Sequence, residues 1–197
     1  MINPPPDLGR EVSTRKQKET FIVFLGRGLP EVYLQWVKKA LHHHQITERF
    51  LEVGDTPARL VQRARIATRD AKAKGSEFDH VWCMFEGVGP LELSHLGARS
   101  SVEVAGSMPG IELWLLLHFE LVPATATQEE IRDALVPYLP RPDRDIADGA
   151  LEGRYAAAVD RARQIAVDAN ISCDIFRLVE EVRSSLSAFD PTARALI

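Results

Sequence analysis

The sequence predicts an α/β fold: a three-layer α/β/α domain with a mostly parallel central sheet of about four strands and a helical C-terminal extension. Three observations carry this prediction. Thr20–Leu25 and Phe78–Phe85 are apolar runs rich in β-branched and aromatic residues, the pattern of strands buried on both faces in a parallel sheet. Segments with apolar residues at helical spacing follow such runs, so strand and helix alternate as in βαβ units. Beyond Glu120 only the helical period recurs, which places the extension at the C-terminal end.

Residues 1–18 combine Pro4, Pro5 and Pro6 with Arg15, Lys16 and Lys18 and carry no period that would bury a face, so a loose arm is expected. The run Thr20–Leu25, closed by Gly26 and Gly28, is expected to be the first central strand. Pro30 suits the first turn of a helix, and Val32, Trp36, Val37, Ala40 and Leu41 continue it to about His43. The intervening Gly26-Arg27-Gly28-Leu29 lacks the glycine pattern and the Lys-Ser/Thr pair of a phosphate loop. His42, His43 and His44 are consecutive, and helix neighbours point about 100° apart, so they do not converge on one metal ion. A solvated helix end is the expectation there.

A second strand is expected over Ile46–Val53, followed by a turn at Gly54-Asp55-Thr56-Pro57 with an N-cap and a proline at the first helical position. The next helix, Ala58–Lys74, directs Leu60, Val61, Ala64, Ile66, Ala67 and Ala71 inward. Its outer face carries Arg59, Arg63, Arg65, Arg69, Lys72 and Lys74. Such a basic face is usually solvated, and Arg59, Arg63, Arg65 and Arg69 are the nucleic-acid-binding candidates if it has a partner. Gly75-Ser76-Glu77 breaks the helix. The third strand then ends at Glu86, where an acidic residue at the carboxyl end of a parallel strand is a plausible Mg²⁺ ligand. Pro90–Gly97 allows a short helix before a strand over Ser101–Ala105.

The stretch Ser107–Glu120 passes from a Pro/Gly turn into an apolar segment too short to cross a bilayer, and is expected to be a loop and a buried helix. Glu112 falls in the first turn of that helix. It can serve a site at the sheet edge, or simply answer the helix dipole. His118 is expected to be a hydrogen-bonded core histidine rather than a general base, and Trp114 a core residue. Thr127-Gln128-Glu129-Glu130 opens a capped helix through Tyr138, and Gly153–Asn170 and Ile175–Ser187 repeat the helical period. The expected division is an arm (1–18), an α/β core (19–122) and a helical region (123–197) packing on the core.

With 197 residues, 45% of them hydrophobic and 26% charged, the chain fits one globular domain. A net charge of -4 and a pI near 5.9 give no global basic footprint, so nucleic acid would need a local patch. Cys83 and Cys173 form neither a disulfide framework nor a metal ligand set. Without an apolar leader or a membrane-length run, a cytoplasmic protein with no membrane contact is expected. No nucleophile elbow, zinc-protease motif or dinucleotide fingerprint is present.

Ser107-Met108-Pro109 together with Glu112-Leu113-Trp114-Leu115-Leu116-Leu117-His118-Phe119-Glu120 resembles the Ser-Asn-Pro-x-x-Glu-Leu-Trp-Leu-Leu-Leu-His-Phe-Glu signature of the RloB family. These are Toprim-like proteins found near restriction-modification and abortive-infection loci. Weaker agreement runs from Phe21 to about Val182. The resemblance implies a Toprim-like core, whose sites place a Glu after the first strand and an Asp-x-Asp pair after a later one to hold Mg²⁺ against a phosphodiester. Where the family carries Cys-Glu-Gly-Glu, this chain has Phe24-Leu25-Gly26-Arg27. Where the family has Phe-Asp-Arg-Asp-Asp, it has Phe85-Glu86-Gly87-Val88-Gly89. Leu25, Val88 and Gly89 therefore replace expected carboxylates, and Met108 and Gly110 stand where the family tends to have Asn and Cys.

These replacements favour a degenerate metal site in an anti-phage defence protein, a non-catalytic or weakly active subunit acting with a partner ATPase from an adjacent gene. One alternative is an active Mg²⁺- or Mn²⁺-dependent nuclease. Glu86 would be its metal ligand, and Glu86 with Glu112 or Glu31 would form a rearranged catalytic set. The other is a nucleic-acid-binding module without hydrolysis. A homo-oligomer is compatible with each.

Overall fold

The computed structural model describes residues 19–50, 55–98, 101–165 and 170–187. Residues 1–18, 51–53 and 188–197, on which the arm, the end of the second strand and the last part of the helical region were expected, lie outside it. The four expected strands form as β1 (Phe21–Leu25), β2 (Ile46–Phe50), β3 (His80–Glu86) and β4 (Glu103–Met108). Between them run helices α1 (Leu29–Ala40), α2 (Pro57–Ala73) and α3 (Pro90–Gly97). Then follow α4 (Ile111–Leu117), α5 (Gln128–Leu135), α6 (Tyr155–Gln164), a two-residue strand β5 (Ser172–Cys173) and α7 (Phe176–Ser187).

The sheet has the order β2-β1-β3-β4-β5. β1 to β4 are parallel, in register at Phe21↔Ile46, Phe21↔His80 and Trp82↔Glu103, and β5 is antiparallel to β4. Successive strand residues point to opposite faces, and the sheet sorts them into two cores. Val23, Leu25, Trp82 and Met84 join residues of α1 and α4 to α7, while Ile22, Phe24, Cys83, Phe85 and Val104 join α2 and α3. The result is the expected three-layer α/β/α architecture. The α4 segment Ile111–Leu117 is buried apart from Glu112, which is half-buried, and Trp114 sits at its centre with 0% exposure. Among the described residues no helix is long and apolar enough to cross a membrane.

The structure corrects four local expectations. The segment after Glu120 is not wholly helical, because β5 adds a fifth strand. Its signal is the alternation of buried Ile171, Cys173 and Ile175 with less buried Ser172 and Asp174, too short to stand out as a period. The fourth strand runs on to Met108 rather than ending at Ala105. Its continuation holds Gly106, where a Cβ would lie 2.6 Å from Leu93 Cδ1, so α3 packs directly on the strand backbone. Ile66 is 41% exposed rather than inward, since two residues past buried Ala64 the helix has turned by about 200°.

The fourth correction concerns the histidine triplet. The helix stops at Ala40, His42 takes the left-handed φ of 49°, and His43 turns inward to 0% exposure instead of ending in solvent. Its Nδ1 accepts from the Gln45 N–H at 3.3 Å, its Nε2 lies 3.4 Å from Ser185 Oγ, and its ring meets Phe21 edge-on. A polar side chain so placed ties the end of α1 to α7.

Candidate functional site

The strand order reverses direction at β1, because β2 and β3 flank it on opposite sides. In open α/β sheets the crevice at such a switch point, outside the carboxyl ends of the strands, is where ligands bind. Here it is a crevice of about 230 Å³ whose lining includes Gly26, Asp55, Glu86 and Val88.

Glu86 is the last residue of β3, and the two-residue alternation that aims Trp82 and Met84 toward α4 aims Glu86 the same way. Its Oε1 accepts the Ile111 N–H, at the first residue of α4, at 3.2 Å. Gly87 then turns the chain with φ 67° and donates its N–H to the Ser107 carbonyl at 3.0 Å. Ser107, wholly buried, donates from Oγ to the Gly110 carbonyl at 2.7 Å and so closes the turn around the cis Met108–Pro109 peptide. The loop after β4 is thereby fixed against the end of β3.

Glu112 occupies the first turn of α4 beside this loop. Its Oε1 accepts from Arg132 Nε on α5 at 2.7 Å, while its Oε2 is buried with no hydrogen-bond partner among the described residues. Gly110 makes this placement feasible, because a Cβ there would clash with Glu112 Oε2 and stand 3.0 Å from Gln128 Nε2. Burial of its carboxyl pushes the Glu86 pKa above the ordinary carboxylate value. The Ile111 N–H opposes that shift, the neighbouring Glu112 charge adds to it, and Arg132 offsets part. Glu86 and Glu112 thus form one electrostatic unit, with Arg132 as its counter-charge.

Two of the positions where the resemblance implies metal carboxylates, Leu25 and Val88, are built into the apolar cores. Leu25 has 0% exposure and packs in the same core as Ile111, and Val88 is 6% exposed and packs with Phe85 and Leu93 on the other side of the sheet. Asp55 is the remaining carboxylate of the crevice, and it is paired with Arg63. Among the described residues no three His, Cys, Asp or Glu side chains gather in a way that could hold a metal ion.

Of the residues singled out from sequence, the structure brings together Glu86 and Glu112. Glu31 faces Arg27 instead, at 3.9 Å. The four arginines lie along α2 on the opposite layer from α4. Arg59, Arg65 and Arg69 are exposed, Arg69 sits 3.5 Å from Asp70, and Arg63 turns back onto Asp55. His118 is 2% exposed, with Nδ1 2.9 Å from the Trp114 carbonyl and a pKa pushed by burial down to about 4. It is a core residue and has no access to a substrate. Sequence reasoning missed Asp55, Gly110 and Arg132. Asp55 follows the carboxyl end of β2 and was open to the rule that singled out Glu86, whereas Arg132 reaches Glu112 only through the packing of α5 on α4.

Compared with known proteins, the chain matches the family model described as RloB-like protein over residues 21–182. No curated protein and no solved structure matches it.

Proposed function

Since the chain belongs to the RloB-like family, we propose that it is an anti-phage defence protein whose Toprim-type metal site is degenerate, and that it acts by binding, together with a partner ATPase. The observation that carries this reading is the state of the crevice carboxylates. Leu25 fills the first ligand position with buried hydrocarbon, Glu86 serves the Ile111 N–H, and Glu112 serves Arg132. A divalent metal that activates water for phosphodiester attack needs several oxygen ligands and open coordination positions. Leu25 and Val88 supply no oxygen, and one oxygen each of Glu86 and Glu112 is already engaged, which leaves too few ligands to complete the coordination of such an ion. The ATPase partner rests on family analogy alone.

One observation favours the alternative of an active Mg²⁺- or Mn²⁺-dependent nuclease: Glu86 and Glu112 lie close enough to repel, and such a pair attracts a cation. Calorimetric titration of Mn²⁺ into the protein and into Glu86→Gln, each with and without a short oligonucleotide, separates the two. The proposal expects no saturable heat in any of the four titrations and no cleavage. Saturable binding that disappears in Glu86→Gln, accompanied by cleavage of the oligonucleotide, would establish the nuclease instead. Failure of the tagged protein to retain the co-expressed adjacent-gene ATPase would remove the partner from the proposal.

A further inference from the structure

Two surfaces, one in each outer layer of the fold, are opposite in charge, and each holds apolar surface open to solvent. Where the chain leaves α4 and enters α5, an apolar groove of about 280 Å³ is lined by Leu116, Val122, Pro123, Ala126, Ile131 and Ala134. Both charged residues of its lining are acidic, Glu120 and Glu130. Glu120 accepts from the Tyr138 hydroxyl and Glu130 from Thr127, neutral donors, and neither carboxylate makes an ion pair among the described residues. Glu129 and Asp133 add two exposed carboxylates on α5, whereas Arg132, the only cation of that helix, is drawn away to Glu112. Leu121, next to Glu120 in the chain, and Tyr138 are 54% and 42% exposed and extend the apolar surface past the groove.

On the opposite layer α2 presents Ile66, 41% exposed, among the exposed Arg59, Arg65, Arg69 and Lys72. One carboxylate, Asp70, lies with them, 3.5 Å from Arg69. An apolar side chain ringed by cations complements an apolar groove ringed by carboxylates: Ile66 leaves water in the groove while opposite charges meet at the wet rim. The helix has 17 residues and is about 25 Å long, enough to span the groove and the whole of α5. A second copy of this chain is the occupant that uses both faces at once, whereas a polyanion on α2 would set Ile66 against its charges and leave the groove open.

We propose that copies of this chain associate head to tail, with α2 of one copy in the α4–α5 groove of the next. Ile66 enters between Val122, Ile131 and Ala134, and Arg65, Arg69 and Lys72 face the carboxylates of Glu120, Glu129, Glu130 and Asp133. Because the two faces lie on opposite layers, the contact is heterologous and repeats into a ring or a filament. The groove shares no lining residue with the crevice at Glu86, and the inference does not depend on the function proposed above.

Sedimentation velocity on the full chain is expected to show concentration-dependent assembly at low ionic strength that weakens in about 1 M salt, where charges are screened beyond about 3 Å. Ile66→Glu on α2 and Thr125→Arg on the exposed wall of the groove should each weaken self-association about thirtyfold, the loss of one central anchor. Mixed in equal amounts, the two variants should form a heterodimer and stop there, because the first keeps an intact groove and the second an intact α2 face. Lys72→Glu, at an exposed position in the last turn of α2, takes the place of Ile66→Glu if that variant fails to fold. The proposal is overturned if the unaltered protein stays monomeric at low salt, which gives the groove to another occupant, if salt or the variants leave its assembly unchanged, or if the mixture yields no heterodimer.

Discussion

His118 sits in an apolar helix turn because its ring completes two contacts at once: Nδ1–H donates to the Trp114 carbonyl at 2.9 Å, and the ring meets Trp114 edge-on at 4.7 Å between centroids. The same burial keeps it neutral, with a pKa pushed down from 6.5 to about 4. In the unfolded chain the imidazole takes up its proton below about pH 6.5, where the folded state does not. Its contribution to stability is therefore complete above that value and is lost as the pH falls toward 4, reaching roughly 3 kcal/mol when both states are compared across the full shift. Urea unfolding of the wild type and of His118→Gln at pH 7 and pH 4.5 isolates this term. The wild type should lose more stability than the variant between the two pH values, and equal losses would mean that the histidine is not held neutral in the fold.

At the scale of elements, α5 decides whether Glu112 has its counter-charge. Its start is fixed by a capping box, in which Thr127 Oγ1 accepts from the Glu130 N–H at 3.3 Å and Glu130 Oε2 accepts from the Thr127 N–H at 2.7 Å. Thr127→Ala removes the first of these bonds and should cost ~1 kcal/mol, a fall in the thermal midpoint of about 2–4 °C for a chain of this size. Thermal unfolding followed by circular dichroism checks it, and an unchanged midpoint would show that packing on α4 alone orders α5. This cap was legible in the sequence, as were the alternation of strands and helices and the N-cap at Thr56, because each depends on residues within a few positions of one another. What was not legible depends on contacts across the chain. The extension of β4 through Gly106 requires Leu93 of α3, the inward turn of His43 requires Ser185 of α7, and the pairing of Glu112 with Arg132 spans 20 residues. Glu86 and Glu112 could be singled out because position relative to a strand end or helix start is local. That Leu25 stands where a carboxylate is expected follows only from the resemblance to a family, since an apolar residue closing a buried strand is otherwise ordinary.

For the molecule as a whole, the sheet separates two cores, and residues around its switch point serve both: Leu25 packs in the core on the α4 side, and Val88, which lines the crevice, packs in the core on the α2–α3 side. A metal bound there would add its binding free energy to the stability of the entire fold, because the ligands converge only in the folded state. At a free metal concentration 100 times the dissociation constant that gain is about 2.7 kcal/mol, or a rise in the thermal midpoint of roughly 5–10 °C for a domain of 150–250 residues. With Leu25 and Val88 apolar, and with Glu86, Glu112 and Asp55 each already holding the Ile111 N–H, Arg132 or Arg63, too few oxygens remain to hold a divalent ion, and the fold gains nothing comparable. The thermal midpoint should therefore be the same in EDTA and in excess Mn²⁺, with both melts superimposed. A midpoint raised by several degrees in Mn²⁺ and returned by EDTA would show that the two cores still converge on a working metal site, and would move Glu86 from a structural acceptor to a ligand.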